Sequence, residues 1–262
     1  MALEFATRAS KGARSYQEDA AFVRAEPESP GSAVAAGHDG SAEQLMAVLA
    51  DGMGGHAGGA LASSTACQIF MRAYETSSGE VPARLGEALQ LANAAIANCV
   101  EENPALNGMG CTLVGTSFGR SGVEWVSVGD SPMFLVRTGQ IFHLNEDHSL
   151  APEIDKLAAA GKMSWEDAQS DPRRHFLRSA LTGTEIELID RSRLPLVLEP
   201  GDVVIMASDG IHTLSQAEIL GVVEAHAASG PDAIADALLA AVDAAGELYQ
   251  DNTTLVVVDV KD

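Results

Sequence analysis

Positive charge is scarce in this chain. Sixteen Lys and Arg stand against 37 Asp and Glu in 262 residues, a formal net charge of -21. A field of that sign repels phosphate-rich polymers, so nucleic acid and anionic membrane surfaces are poor partners. Cysteine is scarce too. Cys67, Cys99 and Cys111 are an odd number at no metal-ligand spacing. That argues against a disulfide framework or a zinc site, and for ordinary buried thiols in a reducing cytoplasm. No run reaches the roughly 18 apolar residues that a bilayer-spanning helix needs. The start, MALEFATRAS, places Glu4 and Arg8 where a signal peptide would carry its apolar core. Internal repeats and long low-complexity linkers are also absent.

What is present is enough to build a sizeable core. Hydrophobic residues make up 46% and charged residues 20% of the chain, the proportions of a soluble globular protein. At roughly 150 residues per domain the length allows one large domain or two small ones. The Pro-, Gly- and Ser-rich stretch from Glu26 to Gly40 joins two apolar pieces, so it is expected to be a loop excursion rather than a domain boundary. Residues 1–262 are accordingly taken as one domain.

Short apolar runs mark strands: LMAVLA (Leu45 to Ala50), CTLVGTSF, VEWVSVG, PMFLV and QIFHL between Cys111 and Leu144, DVVIMAS (Asp202 to Ser208) and TTLVVVDV (Thr253 to Val260). The breaks between Cys111 and Leu144 are too short for parallel crossovers, so these strands are antiparallel neighbours. Leu85, Leu89, Ala92, Ile96 and Val100 share one helical face. Small residues dominate a second predicted helix, Ala57 to Ala73. S-Q-A-E at Ser215 is a capping-box pattern opening a helix to Ala227, and Pro231 opens another to Leu248. Strands and helices are grouped rather than alternating, which predicts an α+β fold with helices on the outer faces of antiparallel sheet.

Aspartates sit at the strand ends. Asp51 follows LMAVLA, Asp130 follows VEWVSVG, Asp209 follows DVVIMAS, and Asp251 precedes TTLVVV. In an antiparallel sheet the end of one strand lies beside the start of the next, so Asp51, Asp209 and Asp251 can gather on one rim. Two unit charges about 4 Å apart repel by about 4 kcal/mol at an effective dielectric near 20. Such a cluster calls for protons or bridging cations, and hard oxygen donors favour Mg²⁺ or Mn²⁺ over Zn²⁺. Asp-Gly pairs also close turns with no metal at all, and the pattern alone leaves both readings open. DGMGGHAGGALAS (Asp51 to Ser63) lacks the Gly-Lys-Ser/Thr ending of a nucleotide-binding loop. Its glycines suit close backbone approach, with the Gly52 carbonyl free to face a metal.

Taken in order, seven segments carry a resemblance. They are RSYQEDA (Arg14 to Ala20), DGMGGHAGGALAS, GMGCTLVG (Gly108 to Gly115), VSVGDSPMFLVRTGQIFHLNEDHSL (Val126 to Leu150), ALTG (Ala180 to Gly183), LEPGDVVIMASDGI (Leu198 to Ile211) and DNTTLVVV (Asp251 to Val258). The chain resembles the type-2C metal-dependent protein phosphatases, the PPM family, in their compact bacterial form. The resemblance implies a four-layer α/β/β/α sandwich of two antiparallel sheets, with a flap subdomain over about 146–177. It implies two or three Mn²⁺ or Mg²⁺ ions per chain and hydrolysis of phosphoserine and phosphothreonine in proteins by a metal-bridging hydroxide. By motif match Asp51 bridges two metals, the Gly52 carbonyl binds one, and Asp209 and Asp251 complete their shell. Glu18 and Asp19 hold metal-bound waters or reach a metal directly, with Asn252 behind them. Asp130 with Asp209 holds a third metal, and Arg14 grips the substrate phosphate. The implied partners are phosphorylated protein substrates, those of a serine/threonine kinase, in the cytoplasm, with no sensor or membrane domain attached.

Some positions depart from the family pattern: Gln17 for Asn, Met53 where many members have His, Cys111 for Thr, Pro132 for Arg, and Arg178 one place early. None of these removes a metal ligand. The flap shows helical spacing at Ile154, Leu157 and Ala158, and its Arg173, Arg174, His175 and Arg178 form a dense basic cluster. It either receives an acidic or phosphorylated segment or balances Asp167 and Asp171 on a solvated face. His38, His56, His148 and His212 are expected to be structural or surface residues. The competing functions are a catalytically silent phosphoprotein-binding relative and a phosphatase of small phosphate esters.

Overall fold

The computed structural model describes residues 2–25, 39–54 and 57–262. Two antiparallel sheets lie face to face. One has six strands in the order Gln140–His143, Met133–Arg137, Val203–Ala207, Thr253–Lys261, Ala2–Ser10, Asp39–Ala42. The other has five: Asp190–Arg191, Gly122–Val128, Leu113–Gly119, Leu45–Ala50, Ala20–Ala25. Helices Gln216–His226 and Pro231–Ala245 cover the outer face of the first sheet. Helices Ala57–Thr76 and Val81–Glu102 cover the second. This is the expected four-layer α/β/β/α arrangement.

The layering explains why the central strands read as unbroken apolar runs. In Leu45–Ala50 the residues Leu45, Ala47 and Leu49 pack between the sheets, while Met46, Val48 and Ala50 pack against helices. Val203–Ala207 does the same, with Val204 and Met206 facing inward and Val203, Ile205 and Ala207 facing helices. A strand covered on both sides has no polar face to show. The capping box at Ser215 is present: Ser215 Oγ accepts from the Glu218 N–H (3.3 Å), and Glu218 Oε2 accepts from the Ser215 N–H (2.8 Å).

Three details differ from the sequence reading. Asp39 and Gly40, assigned to a loop, belong to the edge strand Asp39–Ala42, whose backbone pairs with Leu3–Ala6; the rest of that loop, 26–38, lies outside the described residues. The last helix stops at Ala245 rather than Leu248, because Gly246 turns left-handed (φ 68°) and ends it. The N-terminal segment Ala2–Ser10 is a strand paired along its whole length with Thr253–Lys261.

The segment between strands Gln140–His143 and Asp190–Arg191 leaves the sandwich. Its helices Ala151–Ala159 and Trp165–Ser170 bury a core of only Ile154, Ala158 and Ala168, with Leu150 and Met163 against it. Leu157, placed on the same face by spacing, is 40% exposed.

Candidate active site

The acidic residues meet at one end of the sandwich, on a rim shared by both sheets rather than belonging to one. Asp209 leaves the strand Val203–Ala207 where Asp251 enters its neighbour Thr253–Lys261. Asp51 leaves the other sheet, and the pairing of Ala20 with Ala50 sets Asp19 beside it. Asp130 lies in the turn where the chain passes from Gly122–Val128 of one sheet to Met133–Arg137 of the other. Arg14, Glu18, Asp51, Gly52, Asp130, Asp209, Asp251 and Asn252 all line a cavity of about 810 Å³ there. Asp19 is not part of its lining.

Short polar contacts hold these groups. Arg14 donates to Asp251 Oδ2 at 2.5 Å. Asn252, 3% exposed, accepts the Glu18 N–H on Oδ1 (2.8 Å) and donates Nδ2 to the carbonyls of Lys11 and Tyr16 (3.0 Å each). It thereby pins the Arg14–Asp19 segment to the sheet. Ser208 Oγ donates to Asp19 Oδ2 at 2.7 Å. Thr112 Oγ1 accepts the Asp51 N–H at 2.9 Å and touches Ser131 Oγ at 2.7 Å. Ser208 and Thr112 were not singled out from sequence. Each lies inside a quoted motif, but a single hydroxyl carries no signal of its partner.

The electrostatics are those of crowded carboxylates. Burial first, then the charges of Asp209, Asp19, Asp130 and Asp251, push Asp51 well above the usual carboxylate range. Asp209 is raised by burial and by Asp251, and lies within hydrogen-bonding reach of Asp51. Burial lifts Asp130 to about 7, with Asp209 and Asp147 adding to it. Asp19 is lifted to about 6, mainly by burial. Two buried oxygens, Glu18 Oε1 and Asp19 Oδ1, have no hydrogen-bond partner. Unpaired buried carboxylate oxygens are costly unless a cation meets them. Among the described residues no three acidic, His or Cys side chains stand together as a chelate, and Asp251 is paired with Arg14. The donor set of carboxylates and a carbonyl nonetheless suits a hard divalent ion. The backbone leaves room beside it. A Cβ on Gly59 would fall 2.5 Å from Glu18 Oε1 and 3.0 Å from the Gly52 carbonyl oxygen.

The sequence model of the family described as Protein phosphatase 2C matches residues 33–229, about three quarters of the chain. The chain belongs to the protein phosphatase 2C family. The serine/threonine protein phosphatase PstP of Mycobacterium tuberculosis is 32% identical to this phosphatase 2C chain over 213 residues, 80% of this chain and 37% of that protein. The serine/threonine phosphatase stp of Listeria monocytogenes is 34% identical over 174 residues, 64% of this chain and 67% of that one. The chain thus spans little more than a third of the length of the PstP sequences it matches. The crystal structure of M. tuberculosis PstP superposes with a TM-score of 0.79 at 30% identity, covering 100% of both chains. That of the PstP catalytic domain with two manganese ions gives 0.76 at 30% identity, again over 100% of both.

Of the departures from the family pattern, Met53 and Arg178 line the cavity. Gln17 Oε1 accepts the Asp19 N–H at 3.2 Å. Cys111 is buried and pairs with Gly52 and Leu181. The basic cluster of the flap is mostly neutralised on the spot: Arg173 bonds Asp171, Arg174 bonds Asp155, and Arg178 reaches Glu153. Asp167 instead caps a helix through Ser164. His175 and Arg178 also line the cavity. Of the four histidines expected to be structural or superficial, His148 is buried and His212 exposed, while His38 and His56 lie outside the described residues. Burial pushes the His148 imidazole down, which favours its neutral form.

Proposed function

We propose that this chain removes phosphate from phosphoserine and phosphothreonine in proteins, as a single catalytic domain over 1–262 using two or three Mn²⁺ or Mg²⁺ ions. The observation that carries the reading is the set of partly buried carboxylates from both sheets around one cavity, with two buried carboxylate oxygens lacking partners. Asp51, the Gly52 carbonyl, Asp209 and Asp251 would hold the paired ions, with Glu18 and Asp19 behind them and Asp130 with Asp209 as a third position. Bound there, the cations supply Lewis acidity that makes water a nucleophile at neutral pH.

The chain's own residues do the rest. Arg14 is half-exposed over the cavity and held by Asp251. An exposed ion pair of this kind is worth little, so the guanidinium is available to orient two phosphate oxygens. Asn252 keeps Arg14 and Glu18 in register by bonding both ends of their segment. Cys67 and Cys111 need no nucleophilic part; burial raises both thiols, which keeps them protonated. Family likeness supports substrates drawn from the products of a serine/threonine kinase, and three cysteines at no disulfide or metal spacing suit a reducing cytoplasm.

The test is phosphate release from a phosphothreonine peptide and from a small phosphate ester, with Mn²⁺ and with EDTA. Turnover of the peptide in Mn²⁺ alone is expected. Persistence in EDTA would refute the metal chemistry, turnover of the ester alone would favour a metabolite phosphatase, and no turnover of either would favour a silent phosphoprotein-binding relative.

A further inference from the structure

The flap has little core of its own, yet its root is fastened by buried polar side chains. Asn145, 7% exposed, donates Nδ2 to the Ser131 carbonyl (2.9 Å) and to Ser127 Oγ (3.3 Å), and accepts the Met133 N–H on Oδ1 (2.7 Å). His148, 3% exposed, accepts the Gly129 N–H on ring Nδ1 at 3.3 Å, while its backbone N–H donates to the Gly129 carbonyl at 3.1 Å. The His148 carbonyl takes the Arg178 N–H from the returning strand of the flap (2.8 Å), and Leu150 N–H donates to Phe176 O (3.0 Å) beside it. Both limbs of the flap therefore end on His148.

The turn they grip is the one that carries Asp130. Gly129 is left-handed (φ 102°), and a Cβ there would meet Thr112 Cγ2 at 2.6 Å. Ser131 Oγ touches Thr112 Oγ1, which accepts the Asp51 N–H, and Thr112 N–H donates to the Asp51 carbonyl (2.9 Å). An unbroken run of contacts thus leads from the flap through His148 and the Gly129–Ser131 turn to Thr112 and Asp51.

We infer that His148 and Asn145 are positioning residues that clamp the flap root to the Asp130 turn, so that flap docking and the placement of Asp51 and Asp130 are coupled. The inference rests on the reading of Asp51 and Asp130 as cation ligands. Coupling of this kind is reciprocal. A cation held by those carboxylates steadies the flap, and a phosphoprotein that contacts His175 and Phe176 in the cavity wall tightens the cation in return.

The test uses trypsin on the folded protein, following cleavage after Arg173 and Arg178 by mass spectrometry, with Mn²⁺ binding measured separately by calorimetry. Mn²⁺ is expected to slow flap cleavage of the wild type at least about fivefold, the low end of typical couplings. His148→Leu should bind Mn²⁺ more weakly and lose the protection. His148→Asn, whose Oδ1 can stand where Nδ1 accepts, should recover it. Full protection in His148→Leu, or no recovery in a folded His148→Asn, overturns the inference. If the leucine variant does not fold, amide exchange of the wild type decides. The Gly129 and Arg178 amides must slow together when Mn²⁺ is added, and independent behaviour overturns the clamp. Wild type that binds Mn²⁺ without gaining protection removes the coupling alone; wild type that binds no Mn²⁺ removes the metal reading with it.

Discussion

The sandwich and the flap are stabilised in opposite ways. The sandwich hides whole strands between layers, and its three clusters of buried side chains run from one helical layer to the other. The flap buries Ile154, Ala158 and Ala168 and covers itself with ion pairs that reach water. Fully burying a large aliphatic side chain contributes about 1.5–3 kcal/mol, an alanine much less, and exposed ion pairs contribute about 0–1 kcal/mol. The flap therefore owes its place to its root and opens at a fraction of the global cost. A rigid frame holds the carboxylates, and a loosely stabilised cover stands beside them.

The largest effect should come from the frame's acidic end. Asp209→Ala is expected to lower kcat/KM on a phosphothreonine peptide by roughly 10²–10³-fold or more, with the folded state intact by circular dichroism. Wild-type turnover in that variant would remove Asp209 from the reaction.

The next contrast is between cores. Ile205→Ala should cost about 2–5 kcal/mol in denaturant unfolding, because the site is closed on both faces and relaxes poorly. Ile154→Ala should leave the global midpoint within ~1 kcal/mol of wild type while speeding flap proteolysis. Equal global losses would mean that the flap unfolds with the sandwich as one unit.

A smaller effect concerns pH. Asp130 titrates near 7 when folded, against an ordinary value of 3.8. An acid with a raised folded pKa binds more protons folded than unfolded, so its favourable contribution is complete below about pH 4 and is lost as pH rises through about 7. In EDTA, Asp130→Asn has no such loss. Its melting temperature should therefore gain on that of the wild type as pH rises from about 4 to about 8. A pH-independent difference would show that Asp130 is not desolvated.

The smallest is at the flap surface. Arg173→Ala removes a pair with Asp171 in which the arginine is mostly exposed, and stability should change by less than ~0.5 kcal/mol. A loss of peptide affinity with unchanged stability would instead identify Arg173 as a substrate contact.

Legibility in the sequence follows the same divide. Strands buried on both faces announce themselves as apolar runs, and LMAVLA and VVIMA lie where the runs do. The strand Ala2–Ser10 does not, because Glu4 and Arg8 interrupt one face and Thr7 the other, and only its long pairing partner makes it a strand. The family reading, built on seven ordered motifs, is borne out by the match over 33–229 and by the PstP structures. That Asp51 and Asp209 descend from different sheets was beyond the strand pattern, since sheet membership is a long-range property. Thr112 and Ser208 stayed hidden for the same reason: what matters about each is the distant backbone or carboxylate that it touches. In the flap, the periodicity gave the helix but not the orientation of Leu157, because so small a core cannot turn every apolar residue inward.

One consequence follows from the shared rim. Because Asp51 and Asp209 hang from different layers, a dication held by both, as proposed, would act as a rivet across the seam of the sandwich. Prising the layers apart must shear that rivet first, so its benefit should appear as slower unfolding rather than faster folding, provided the seam closes after the folding barrier is crossed.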